Sequence, residues 1–284
     1  MSRSDNLFIV KAFASQPFTG NPAAVCILDR MLPGELLQRI ARELNQPITS
    51  FIVPLPQGSY ELRHYGPKNK VEICGHGTVA ASHVVKEYLR HPSKRILFHL
   101  GPVDLQVKVC DKGFELEIPA FPNKPIPDVP CVIKFLGRKP HRCYRSFYDV
   151  VAEYRSEEQV RALRPDFSVP LISSIRALLA TAPGRNSDYV YRVFAPSVGV
   201  DEDYFCGSAN GALGPLWSER LDKCDLLGYS VSERGGPIPC RVAEKIVRIT
   251  GGALTWFSGT VSFETDLPHT ESMQGILQCN GRNY

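Results

Sequence analysis

The feature that most constrains this chain is that it repeats itself. Arg63-His64-Tyr65-Gly66-Pro67 is followed, after a short loop, by Cys74-Gly75-His76-Gly77. A little under half the chain later, Arg192-Val193-Phe194-Ala195-Pro196 is followed by Cys206-Gly207-Ser208-Ala209. Both copies keep one order: arginine, one residue, an aromatic, a small residue, proline, a loop, Cys-Gly and a small-residue helix start. An ordered series of this kind marks a duplicated supersecondary unit. Two similar lobes would face each other across a cleft, where small-molecule sites tend to form.

Each Cys-Gly pair is predicted at a helix N-terminus. Unpaired backbone N–H groups there favour anions, so the same place suits a thiolate or a substrate carboxylate. Glycines at Gly75, Gly77 and Gly207 let a ligand approach the backbone. Thiols at Cys74 and Cys206, facing across a cleft, can act as one base and one acid on opposite faces of a carbon. His76, set between glycines, is a candidate catalytic residue. Asp203 is a candidate catalytic or orienting group, and Ser208 and Ala209 are candidate substrate contacts; Asp203 and Ser208 are also good helix-capping types. Asn21 in Gly20-Asn21-Pro22 is a candidate contact and equally a turn former. Cys26, Cys110, Cys131, Cys143, Cys224, Cys240 and Cys279 read as small core residues.

With 284 residues, 43% apolar and 22% charged, the chain can bury one large or two modest cores. Net charge is +4 without a basic block. The basic stretch 134–145 reads as a solvated loop, so no nucleic-acid partner is expected. No apolar run is long enough for a leader or a membrane span. Nine scattered cysteines without zinc spacing suggest a reducing, cytoplasmic setting with no metal and no bound cofactor. Periodicity predicts helices over 34–44, 78–89, 157–163 and from 208. Short strands are predicted over 7–13, 23–28, 51–54, 60–65, 96–100, 103–109, 114–118, 172–180, 189–194, 245–250 and 253–259. The proline-rich stretch 119–130 reads as a connector between a lobe of 1–120 and a lobe of 121–265, with 266–284 a tail that frays or packs back on the first lobe.

Further landmarks carry a resemblance. They are Phe13 with Pro17-Phe18-Thr19-Gly20-Asn21-Pro22-Ala23-Ala24-Val25, Ile73-Cys74-Gly75-His76-Gly77-Thr78, Arg192 to Pro196, Glu202-Asp203, Gly207-Ser208-Ala209 and Ser232-Glu233-Arg234-Gly235-Gly236. Together they resemble the phenazine-biosynthesis-like family, named for the PhzF isomerase, within the diaminopimelate epimerase-like group. The resemblance implies an α+β fold of two pseudo-symmetric lobes, each a barrel-like mixed or antiparallel sheet around a central helix. It also implies a cleft active site and a homodimer. His76, Asp203 and Ser208, with Gly75, match positions that family uses.

Two departures bear on chemistry. Where the family has the glutamate that shuttles the proton, this chain has Ile48, which carries none. Where the PhzF isomerase has threonine, this chain has Cys206, similar to the two-cysteine racemases and epimerases; those epimerases have asparagine at the position of His76. Three readings follow. The favoured one is a cofactor-independent racemase or epimerase of an amino acid or related carboxylate, with Cys74 and Cys206 as the acid/base pair. The second is a PhzF-like isomerase of an unsaturated ring or enol that uses His76 and Asp203. The third is an inactive metabolite-binding or regulatory relative.

Overall fold

The structure is a computed structural model that describes residues 2–264 apart from 102, 172 and 173. The tail 266–284 and Cys279 therefore lie outside the described residues. The chain runs β1 (Ser2–Ala12), β2 (Asn21–Ile27), α1 (Gly34–Leu44), β3 (Thr49–Pro54), β4 (Tyr60–Tyr65), β5 (Lys70–Val71), α2 (Gly75–Glu87), β6 (Arg95–His99), β7 (Asp104–Cys110) and β8 (Gly113–Pro119). It continues through β9 (Lys124–Ile126), α3 (Pro130–Leu136), β10 (Arg142–Ser146), β11 (Asp149–Glu153), α4 (Glu157–Arg161), β12 (Leu178–Pro183), β13 (Tyr189–Ala195) and β14 (Val200–Asp203). Last come α5 (Asn210–Leu221), β15 (Asp225–Ser230), β16 (Pro237–Val242), β17 (Ile246–Gly251) and β18 (Ala253–Glu264).

The sequence repeat is a repeat of strand pairing. In the first half β1–β2 is antiparallel, β2–β3 parallel, β3–β4 and β4–β5 antiparallel, β4–β6 parallel, then β6–β7 and β7–β8 antiparallel. The second half repeats this order with β10–β11, β11–β12, β12–β13, β13–β14, β13–β15, β15–β16 and β16–β17. The halves meet where β8 pairs antiparallel with β17. Each half then gives a strand to the other: β9 pairs with β10, and β18 pairs with β1. The chain thus returns to the first half at Ala253, ahead of the boundary expected at 265.

α1 matches its predicted span, and its buried Leu36, Leu37, Ile40 and Ala41 form the stripe that packs beneath β2 and β3. α2 is buried almost all round, from Gly77 to Val85 apart from His83, as a helix enclosed by sheet must be. α5 contains Pro215, which cannot donate to the Gly211 carbonyl. The Phe121 N–H takes that carbonyl at 2.8 Å. A side chain on Gly211 would meet the Pro119 carbonyl at 2.7 Å, so glycine lets the connector lie against the helix. The connector is accordingly a strap bonded to α5, and it includes β9.

The stretch 134–145 is a solvated loop only over 137–141, and its flanks belong to α3 and β10. Val132, Phe135 and Leu136 of α3 and Cys143 and Tyr144 of β10 are buried. Its charges alternate with apolar residues that enter the core, which a count of basic residues does not register. The strand predicted over 172–180 starts at Leu178, with 172 and 173 outside the described residues. Of the cysteines read as core, Cys26, Cys143 and Cys240 are buried, Cys110 and Cys131 are half-buried, and Cys224 is exposed just after α5. No described helix is long and apolar enough to cross a membrane.

Candidate active site

Cys74 is the N-cap of α2, with extended backbone and no capping bond from its side chain. Its carbonyl instead accepts from the Thr78 N–H at 2.9 Å and the Thr78 hydroxyl at 2.8 Å. The sulfur is left to lie 3.3 Å from His76 Nδ1. In the second half the helix starts later than predicted. Cys206 precedes a turn in which Asn210 N–H bonds the Gly207 carbonyl, and α5 begins at Asn210. Cys206 Sγ lies 3.4 Å from Ser208 Oγ.

Cys74 and Cys206, with His76, Asp203 and Ser208, line one cavity of about 420 Å³ between the halves. Ile48 and residues such as Leu179 and Val193 form an apolar wall, and Lys68, Lys70 and Arg176 add positive charge. Among the described residues no group of His, Cys, Asp and Glu side chains is arranged to hold a metal ion.

The remaining expected contacts sit behind the cavity. Asn21 is buried and donates through Nδ2 to Asp203 Oδ1 at 2.7 Å, joining the halves. The Phe205 N–H donates to the same oxygen at 3.2 Å. Phe13 stacks on Phe205 at 4.9 Å, and Ser230 and Ser232 both donate to the Tyr204 carbonyl. Landmarks scattered along the sequence thus converge on the segment that presents Asp203 and Cys206. A side chain on Gly207 would meet Phe13 and Ile249 at 2.9 Å, and one on Gly77 would meet His64 at 2.9 Å. Ala209 is buried. Asn21, Gly77, Gly207 and Ala209 are not among the residues that line this cavity.

Arg176 escaped the sequence reading. Asp149, buried in β11, holds it by two bonds, Nε to Oδ1 at 2.9 Å and Nη2 to Oδ2 at 2.5 Å. It stands just ahead of β12 with no local pattern to mark it, and only the fold brings it beside Cys206 and Asp203. A second unanticipated feature is the buried His64. Its Nδ1 lies 3.0 Å from Ser50 Oγ and its Nε2 3.3 Å from Thr78 Oγ1, so it buttresses the first turn of α2.

The electrostatics are asymmetric. At His76 burial works against charge, but the Cys74 sulfur and the Asp203 carboxylate outweigh it and raise the pKa to about 9. At Cys206 burial, reinforced by the charge of Asp203, pushes the thiol well up and keeps it protonated, against the opposing pull of Ser208 and Arg176. At His64 burial and the charge of His76 lower the value to about 3. The histidines therefore link to stability with opposite sign. His76 contributes fully below its ordinary 6.5, and the contribution is lost as pH rises through about 9. His64 destabilises the fold as pH falls from 6.5 towards about 3, because only the unfolded chain takes up that proton. An NMR titration of the ring protons is expected to find His76 charged and His64 neutral at pH 7; both titrating near 6.5 would refute the assignment.

Comparison with known proteins identifies the family and the fold. Residues 10–259 match the family model described as phenazine biosynthesis-like protein. An uncharacterized isomerase of Pseudomonas aeruginosa is 38% identical over 89% of this chain and 96% of its own length. A crystal structure of a phenazine biosynthesis protein of the PhzF family from Enterococcus faecalis superposes with a TM-score of 0.86 at 35% identity, covering 91% of this chain and 99% of that one. A hydroxyproline epimerase from Agrobacterium vitis, 13% identical, shares the fold with a TM-score of 0.60 over 92% of this chain and 93% of its own. The α+β, diaminopimelate epimerase-like architecture implied by the sequence is the one observed.

Proposed function

This chain belongs to the phenazine biosynthesis-like family, and from that premise we propose that it is a cofactor-independent isomerase in which Cys74 and Cys206 move a proton on a carbon beside a carboxylate. The observation that carries the reading is the unequal pair of sulfurs on one cavity. Cys74 has a charged imidazole 3.3 Å away, while Cys206 is held as a neutral thiol. One sulfur is equipped to take a proton and the other to give one.

The substrate carboxylate is placed against one cation, Arg176, and against the N-terminus of α2, where the first N–H groups have no intrahelical acceptor. Cys74 takes the α-proton on its sulfur, with the His76 imidazole beside it, and the C–H electron pair moves into the carboxylate. The cation and N–H dipoles stabilise the charge that develops there. Cys206 then delivers its proton to the opposite face, and the reverse passage restores the starting state. Ile48 and its apolar neighbours lower the polarity of one side of the site, which strengthens each of these interactions.

The test is solvent-deuterium incorporation with chiral analysis over a panel of α-amino and α-hydroxy acids. The expected result is inversion with exchange, abolished by thiol alkylation. Activity that survives alkylation would rule out the two-thiol reading. One observation favours a second reading: Asp203 lies close enough to help raise the pKa of His76, so that pair could shift the proton within an unsaturated ring or enol. That reaction would tolerate Cys206→Ser and fail in His76→Ala. Absence of exchange with the whole panel would favour a metabolite-binding relative, consistent with Ile48 in place of the family glutamate.

A further inference from the structure

The reaction cavity is not the end of the cleft. A second cavity of about 590 Å³ adjoins it and shares Arg176 and Ser208 with it. Gly75 faces this second space, and a side chain there would meet nothing within 4 Å. Its walls come from both halves, with Leu105 and Leu116 on one side and Phe121, Phe147 and Tyr148 on the other. The rings of Phe121 and Phe147 are stacked at 5.0 Å and 7°, and Phe147 touches Tyr148 at 4.1 Å.

Two observations indicate that this wall awaits a ligand. Phe147 and Tyr148 are 60% and 56% exposed within a concave surface, where large apolar side chains gain from being covered. Phe147 also takes φ +52° in the β10–β11 turn, a left-handed conformation that is uncommon for a bulky residue. The strain is accepted at the position that projects the ring.

Charge sets the orientation. Of the lining carboxylates, Glu72 pairs with Lys70 and Glu117 with Arg248, Asp104 Oδ1 lies 2.8 Å from His99 Nδ1, and Asp149 is bound to Arg176 itself. Among the described lining residues Arg176 alone is cationic; Asp149 takes its Nε and Nη2, and the guanidinium stands at the junction of the two cavities. A carboxylate drawn to Arg176 leaves the rest of its molecule a choice between the sulfurs and the aromatic wall. We propose that the second cavity holds an uncharged aromatic substituent of the substrate, so that the substrate class is an aryl-bearing carboxylate rather than a compact one. The proposal rests on the preceding reading for the place of the carboxylate, and is independent of which group carries the proton.

Binding separates the two questions. Titration calorimetry of the whole chain with propionate and with 3-phenylpropionate compares one carboxylate with and without a ring. The ring is expected to tighten binding about tenfold or more. Phe147→Ala and Tyr148→Ala, both at exposed positions, should each reduce that preference to a few-fold, while Cys206→Ala should keep it. No saturable binding of 3-phenylpropionate, equal binding of the two acids, or a preference that survives both aromatic variants would overturn the proposal. So would a dimer that dissociates in Phe147→Ala, which would assign the wall to a second copy of the chain. A ring preference found without proton exchange would keep the compartment and remove the racemase reading. Exchange found without the preference would do the reverse.

Discussion

Replacing Cys206 by serine is expected to lower the rate of stereochemical inversion by about 10²–10⁴-fold, the usual cost of losing a general acid or base. The reason lies in the neighbours of this sulfur. Burial and Asp203 keep it protonated, and a serine hydroxyl there would be a far weaker acid. The variant should still bind substrate, because Arg176 and the α2 N-terminus are untouched. It should also still exchange the hydrogen of one antipode, because Cys74 and His76 can remove a proton and return it to the same face. Cys74→Ser should show the mirror-image defect. Chiral chromatography combined with mass-detected deuterium uptake reads both quantities in one sample. Inversion at the unmodified rate in Cys206→Ser would transfer the chemistry to His76 and Asp203.

Arg192→Ala is expected to destabilise the protein by about 3 kcal/mol, the low end of the range for leaving one member of a buried ion pair alone, because this pair is only part-buried. Arg192 Nε and Nη2 donate to the two oxygens of Glu202 at 2.7 and 2.8 Å, and the side chains are 12% and 18% exposed. Its Nη1 also bonds the Leu163 carbonyl, and the guanidinium lies 4.9 Å from the Phe194 ring. Such a loss is a large part of a total stability of roughly 5–15 kcal/mol and should lower the melting temperature by about 10 °C. The repeat supplies an internal control. Arg63, at the matching place in the first half, pairs among the described residues with Glu61 alone, and both are about one-third exposed. Arg63→Ala should cost no more than about 1 kcal/mol. Equal shifts in a melting experiment would refute the contrast, and with it the claim that burial rather than the motif sets the energy.

That contrast indicates how far the sequence can be read. The duplicated motif predicts two related halves because it is an ordered local pattern, and the strand pairing repeats in the same order. The span of α1 is legible because Leu36, Leu37 and Ile40 fall at helical spacing on one face. The strand β10 is not legible, because Cys143 and Tyr144 enter the core from a stretch whose charges suggest solvent. The exchange of β9 and β18 leaves no local mark either, because antiparallel partners are chosen by the sheet edge they reach.

The sequence by itself determined the family, the paired Cys-Gly turns and the chemical types at Cys74, His76, Asp203, Cys206 and Ser208. Turn chemistry and side-chain reactivity belong to single residues and short spacings, so they can be read in one dimension. Tertiary structure alone decided which of these groups share a cavity and what else joins them. It placed Arg176 at the junction of two compartments, Ile48 in the apolar wall and Asn21 behind Asp203. It also buried the Cys206 thiol beside Asp203, which pushes its pKa up, and such burial exists only in the folded chain.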